Sequence, residues 1–310
     1  LEKFKLLETA IWPEEEVFDY IDGEVLDPVE LARGRIRELE GMIRHHVYRP
    51  VRVEFAIGQK VRSKWLDKRR KKQDGGMEVR SRCVAQQLAL WLRDDVSAGT
   101  PEIKVVRLIL SLCASKPSTR RTRIVAIWDF DMAFFHSPID PDEPIAVWPA
   151  KGTAAKGWMW QLDGAMNGTR QASQRFAERV CQVLTSHTFT RLRVDGQVYF
   201  SKQLDFEGAI HGDDFVGEGE PSSVEAVDRL LSSNFECRLL HRAGPHHGRM
   251  GKYLKRNIGF EPPCAEHEGA FTYEADEKHA QRIIRQLGFE EEKTYDVPGT
   301  KQTGKGQKDA

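Results

Sequence analysis

The stretch Ala209-Ile210-His211-Gly212-Asp213-Asp214-Phe215-Val216 sets two adjacent carboxylates between two apolar runs. Apolar residues on both sides of a Gly-Asp pair predict two strands joined by a tight turn. Asp213 and Asp214 repel each other at such a tip, and an apolar strand pair gives them little relief. A divalent cation would remove the repulsion, and carboxylate oxygens are the ligands Mg²⁺ prefers. The same residues also fit a solvated turn. A third acidic position well upstream changes that balance. Ile124-Val125-Ala126-Ile127-Trp128 is too short for a helix and suits a buried strand, and it ends on Asp129.

The elements between these positions decide whether the carboxylates meet. Gln171 to about Ser186 reads as a helix with Phe176, Val180, Val183 and Leu184 inward. Tyr199-Phe200 and Phe206 to Ile210 read as strands leading into the Asp213-Asp214 turn. Ser222-Ser223-Val224-Glu225 is a capping box predicting a helix to about Ser233, and Cys237 to Leu240 is a further strand. Ile124 to Leu240 therefore predicts a β-α-β-β-α-β order, the split ferredoxin-like pattern. In that order the end of the first strand lies beside the central hairpin turn, bringing Asp129 next to Asp213 and Asp214. Burying unpaired like charge is costly, so three converging carboxylates suit a two-metal phosphoryl-transfer site better than a stability role.

Elsewhere the pattern is less specific. Residues 1–50 form a lead-in with a helix after Asp27-Pro28, a good N-cap followed by proline at the first helical position. Trp65-Leu66 and Val79 to Val84 flank a basic run closed by Asp74-Gly75-Gly76, which predicts a long hairpin with a basic arm. Between Lys60 and Lys72 stand eight basic residues against the single Asp67. Arg80 and Arg82 alternate along a strand and so share one face. Thr100-Pro101 caps a helix from Glu102 to about Ala114. Tyr253-Leu254 and Ala270 to Tyr273 read as strands joined by a Pro/Cys loop, Asp276 to Leu287 as a helix, and 294–310 as a linker.

Composition bounds the rest. With 310 residues the chain can bury a sizeable core, and 47 basic residues balance 47 acidic ones, so net charge points to no partner. The five cysteines are scattered and odd in number, which fits a reducing compartment. No run approaches a membrane span, and no secretory signal stands at the charged N-terminus. Opening on Leu1 and ending in a polar tail, the chain reads as cut from a longer polypeptide.

These residues, in this order, resemble the reverse transcriptase region of the Pol polyprotein of copia-type LTR retrotransposons, from about Leu26 to Lys301. Val79-Arg80-Ser81-Arg82-Cys83-Val84-Ala85-Gln86 looks like the end of the family's fingers segment. Asp129-Phe130-Asp131-Met132-Ala133-Phe134-Phe135 is similar to its first catalytic motif, and Asn167-Gly168-Thr169-Arg170-Gln171-Ala172-Ser173 to its Tyr-Gly-Leu-Lys-Gln-Ala-Pro motif. His211-Gly212-Asp213-Asp214 stands where the Tyr-Val-Asp-Asp box would. Tyr253 to Arg256 and Tyr273 to His279 also look like family stretches.

The resemblance implies an α+β right-hand polymerase. Its parts would be a lead-in (1–50), fingers with the basic hairpin (51–123), a ferredoxin-like palm (124–245, with a fingers insertion at about 136–165), a palm edge and partial thumb (246–293), and a linker (294–310) toward an RNase H absent from this chain. It implies template-directed DNA synthesis from RNA or DNA with two Mg²⁺ ions, or Mn²⁺, held by Asp129, Asp213 and Asp214. Phe134 would exclude a ribose 2′-hydroxyl, with Phe130 and Gln171 also lining the incoming dNTP. Arg82, with Arg80, would hold the triphosphate; Lys64 is a weaker candidate for it. Lys64, Lys68, Arg69, Arg70, Lys71 and Lys72 would track template-primer phosphates. RNase H and integrase of the same polyprotein would be partners, no membrane would be involved, and the setting would be a cytoplasmic virus-like particle or the nucleus.

The chain departs from the family pattern at several positions. His211 and Gly212 replace the usual aromatic and aliphatic pair, which predicts a loosened turn. Asp131 stands where lysine is common, and Ser173 replaces a proline. Two rival readings remain: a decayed or host-adopted nucleic-acid-binding relic, and a different palm-based nucleotidyl transferase, against which Phe134 argues. His246-His247 with Cys264 and His267 matches no zinc module in spacing.

Overall fold

The computed structural model describes residues 16–71, 75–87, 103–116, 122–247, 250–265, 267–275 and 277–290. Its centre is a six-stranded sheet in the order β11-β4-β10-β9-β8-β7. These strands are β4 (Ile124–Phe130), β7 (Thr190–Arg191), β8 (Val198–Ser201), β9 (Phe206–His211), β10 (Asp214–Gly219) and β11 (Cys237–Ala243). Strand β4 lies antiparallel between β10 and β11, so its end lies beside the β9–β10 turn as expected. Two strands between β4 and the α-helix that follows it, and β7 beyond β8, add to the β-α-β-β-α-β order read from the sequence.

Strand alternation divides the core in two. Ile124, Ala126, Trp128 and Phe130 point to one face. There they pack with Phe176 and Val180 of α3 (Ala172–Thr185) and with Val224, Val227 and Leu231 of α4 (Pro221–Asn234). Val125 and Ile127 point to the other face, against Val106, Ile109 and Leu110 of α2 (Ile103–Ser115) and against Tyr253 and Ile258. The last two belong to a three-stranded sheet of β12 (Met250–Tyr253), β13 (Arg256–Glu261) and β14 (Ala270–Ala275). With both faces of β4 covered, its near-continuous apolar run is accounted for.

A second sheet, in the order β1-β6-β5-β2-β3, is built from both sides of β4 in the chain. Strands β1 (Tyr48–Arg52), β2 (Gln59–Lys71) and β3 (Met77–Ala85) precede it, and β5 (Ile145–Trp148) and β6 (Trp158–Leu162) follow it. Helix α1 (Pro28–Arg44) lies on β3. Gly34 is the point of close approach, because a Cβ there would come within 2.6 Å of the Val79 carbonyl. Asp27 caps α1 as expected, accepting a 2.8 Å bond from the Glu30 amide, with Pro28 in the first turn.

Three local expectations are corrected. The α4 N-cap is Glu220, with Pro221 at the first position, so the Ser222 capping box does not form. Proline's preset φ and missing N–H suit that position and start the helix two residues early. Strand β12 ends at Tyr253; Leu254 and Lys255 both take left-handed φ angles (49° and 60°) as the turn into β13, a strand the sequence reading missed. Two successive left-handed residues are what a tight I′-type hairpin turn needs. The basic hairpin forms from β2 and β3 as expected, and Lys72 and Asp74 lie outside the described residues. The last helix, α5, spans Glu277–Leu287.

Candidate active site

Strand register brings the carboxylates together. Asp214 is the Cα partner of Asp129 across the β10–β4 ladder, and opposite residues of an antiparallel pair project to the same face. Asp213 sits beside them in the β9–β10 turn, and its carbonyl accepts a 2.8 Å bond from the Phe130 amide, tying the turn to the end of β4. Gly212 has φ +63° at the first central position of this two-residue turn. That is the glycine-first hairpin turn, and it corrects the expectation that Gly212 loosens the tip.

The electrostatics are those of crowded like charge. Burial, then the charges of Asp213 and Asp129, push the Asp214 carboxyl up to about 7. Asp129 is also raised, by burial, Asp131 and Asp213, against the opposing pull of Arg238. Burial and then the Asp214 charge push the Tyr253 hydroxyl up as well. Two carboxyls raised by burial and by neighbouring carboxylates, with a third carboxylate at the adjoining turn, fit a site that takes up cations. Among the described residues, no group of His, Cys, Asp or Glu is closed tightly enough by itself to hold a metal ion. The Asp129 carboxylate is instead engaged by Arg238, 3.2 Å away.

A cleft of about 800 Å³ opens in front of Asp129 and Asp213, and Arg80 and Arg82 of β3 line its other side. Burial and the neighbouring Arg82 and Arg70 lower the Arg80 pKa, while Asp213 and Asp129 oppose that shift. A cationic wall thus faces an acidic one across a space open to solvent. Beneath the arginines Glu38 of α1 is buried and accepts a 3.1 Å bond from the Cys83 amide; burial pushes its carboxyl up to about 7.

The other predicted site residues divide. Phe134 lines the cleft from a short 3₁₀ turn, Ala133–His136, that follows the left-handed Met132 (φ 52°). Phe130 also borders it, but its ring is buried edge-on against Phe176 and Phe235. Gln171 is not among the cleft-lining residues. It is buried just before α3, where its Oε1 accepts a 2.9 Å bond from the Asp140 amide.

The basic run of β2 is divided between the two faces of its strand. Lys68 pairs with Arg80 and Arg70 with Glu78 in register, so Lys64, Lys68 and Arg70 share the face of Arg80 and Arg82. Arg69 and Lys71 fall on the opposite face. There Arg69 is paired with Glu24 and Asp22, and its amide donates to Asp19 at 2.6 Å. Lys72 lies outside the described residues.

Sequence reasoning missed Arg238 and Glu38. Arg238 is legible only after β11 is known to pair with β4, because its relation to Asp129 is a cross-strand one. Glu38 is a polar residue on the inward stripe of α1, a signal that helical periodicity carries.

Residues 47–249 match the family model described as reverse transcriptase (RNA-dependent DNA polymerase). None of the curated proteins compared matches the chain. Among solved structures, the foamy viral protease-reverse transcriptase dRH in complex with double-stranded DNA is 13% identical at a TM-score of 0.41, covering 82% of this chain and 42% of that one. The foamy viral protease-reverse transcriptase in complex with double-stranded DNA is 12% identical at a TM-score of 0.43, covering 92% and 57%. The chain thus spans about half the length of these solved proteins.

Proposed function

The chain belongs to the reverse transcriptase (RNA-dependent DNA polymerase) family, and on that premise we propose that it extends a DNA primer on an RNA or DNA template in retrotransposon replication. In this reading the six-stranded sheet is the palm, the five-stranded sheet the fingers, and the segment from β12 to α5 the palm edge and a partial thumb. The observation that carries the reading is the pairing of Asp129 with Asp214 in one ladder, with Asp213 at the adjoining turn.

Asp129, Asp213 and Asp214 are the residues that would hold two Mg²⁺ ions, or Mn²⁺. When bound, such ions neutralise charge at the attacking and leaving oxygens of phosphoryl transfer. The remaining work belongs to the chain's own groups. Arg82 and Arg80 offer guanidinium forks to a triphosphate entering the cleft. Phe134 presents an aromatic edge where the sugar would lie, excluding a 2′-hydroxyl by size alone. Gln171 holds the Asp140 loop against α3, so its contribution is to position the cleft wall. Lys64, Lys68 and Arg70 supply a sequence-blind phosphate track beside Arg80. The polyprotein's RNase H and integrase, and a virus-like particle or the nucleus, complete the proposed setting.

Primer extension on an RNA template tests this. Wild-type protein is expected to add deoxynucleotides in Mg²⁺, and Asp213→Asn to add none while still binding primer-template. Protein that binds primer-template but extends it with neither Mg²⁺ nor Mn²⁺ would be a nucleic-acid-binding relic instead.

A further inference from the structure

Arg238 occupies the second position of β11, directly opposite Asp129 in the β11–β4 ladder. Asp129 is therefore flanked in register by a carboxylate, Asp214, on one side and a guanidinium on the other. The fork of Arg238 is not divided evenly. Its Nε lies 2.8 Å from Asp131 Oδ2, and its Nη2 donates to Asp131 Oδ1 at 2.8 Å, a bidentate pair. The same Nη2 reaches Asp129 Oδ2 at 3.2 Å, a third and longer bond. A paired fork on one carboxylate is stronger than a shared single contact, so the bond to Asp129 is the one that yields first.

We propose that Arg238 is a positioning residue that serves as a resident counter-cation for Asp129 and yields that carboxylate when a divalent ion arrives, while Asp131 keeps the guanidinium parked beside the site. The proposal rests on the reading of Asp129 as a metal ligand. It also gives Asp131 a use: an extra negative charge in an already acidic cluster would weaken the fold, but here it anchors the cation that balances the cluster. The arrangement makes the unloaded site cheaper to fold and loading by metal harder, since the ion must first displace one hydrogen bond.

The test is direct Mn²⁺ binding, followed by electron paramagnetic resonance of free Mn²⁺, on the full chain without nucleotide or primer. Arg238→Ala is expected to bind Mn²⁺ about three- to fivefold more tightly than wild type, the range an exposed charge contact supports. Arg238→Lys keeps the charge and is expected to return affinity to within about twofold of wild type. Asp131→Asn removes the anchor, leaves Arg238 on Asp129 and is expected to weaken binding; in the Arg238→Ala background the same change is expected to have a smaller effect. Circular dichroism confirms that each variant is folded. Equal or weaker Mn²⁺ affinity in folded Arg238→Ala overturns the counter-cation role and leaves the metal-site reading intact. Absence of Mn²⁺ binding in every protein, or affinity insensitive to Asp129→Asn, removes the metal site and this inference together.

Discussion

Replacing Asp214 by asparagine should stabilise the fold, and by an amount that depends on pH in a definite direction. The Asp214 carboxyl titrates near its ordinary 3.8 in the unfolded chain and at about 7 in the folded one. The folded state therefore holds more protons between these limits, and stability falls as pH rises through that window. Below the lower limit both states are protonated and the residue contributes no penalty. Above about 7 both are ionised, and the folded state carries the full repulsion from burial, Asp213 and Asp129. At 1.36 kcal/mol for each pH unit the window from 3.8 to about 7 corresponds to ~4 kcal/mol. Solvent reaching this half-buried side chain reduces that to about 2 kcal/mol. Urea unfolding of wild type and Asp214→Asn at pH 4.5 and pH 8 reads the difference directly, because other titrating groups such as Glu218 and Glu38 are common to both proteins. The expected result is a stability advantage for the variant that grows by about 2 kcal/mol between the two pH values. Millimolar Mg²⁺ should raise wild-type stability at pH 8 more than the variant's. A pH-independent difference would refute the crowded-carboxylate account of the site.

Further outcomes follow from single features. Gly212→Ala meets no atom within 4 Å but forces an L side chain to φ +63°, so it should fold and lose about 1–2 kcal/mol in urea unfolding; a neutral result would mean that the turn is not held in the left-handed region. Phe134→Ala should raise ribonucleotide incorporation relative to deoxynucleotide by about tenfold, ~1.4 kcal/mol of discrimination; unchanged sugar selectivity in primer extension removes the ring from that role. Arg69→Ala should leave the salt slope of primer-template binding nearly unchanged, because Arg69 lies on the face away from Arg80 and is held there by Glu24 and Asp22. Lys68→Ala and Arg70→Ala, on the Arg80 face (Arg70 with a looser 3.8 Å contact to Glu78), should each flatten it by about one unit. Equal effects at all three positions would show that the run acts as one arm after all.

Much of the centre was legible because its signals are local. The apolar run Ile124 to Trp128 ends on Asp129, and the glycine-aspartate pair stands between two apolar strands; each is a period or turn signal within one short window. The β-α-β-β-α-β order then left few ways to close the sheet, and the observed order β11-β4-β10-β9 sets the end of β4 beside the hairpin turn as expected. The five-stranded sheet was harder to read. Its β5 and β6 come after β4 in the chain and join strands that come before it, and strand alternation within one segment carries no signal for such distant pairing.

The basic run shows where composition and geometry part. Counted along the chain, Lys68 to Lys71 is a block of like charge. Folded into β2, alternate members face opposite sides, so Lys68 and Arg70 join Arg80 and Arg82 while Arg69 is drawn into ion pairs with the segment before α1. A strand halves any such block, because its side-chain period is two. The same rule explains why Asp131 looked like an unmatched departure. Its partner is neither adjacent nor at helical spacing but on β11, where Arg238 is set by the pairing of Cys237 with Phe130. Charge in excess within one motif is balanced from a strand that only the closed sheet brings alongside, so a departure from a family pattern is best judged against the register, not against the motif.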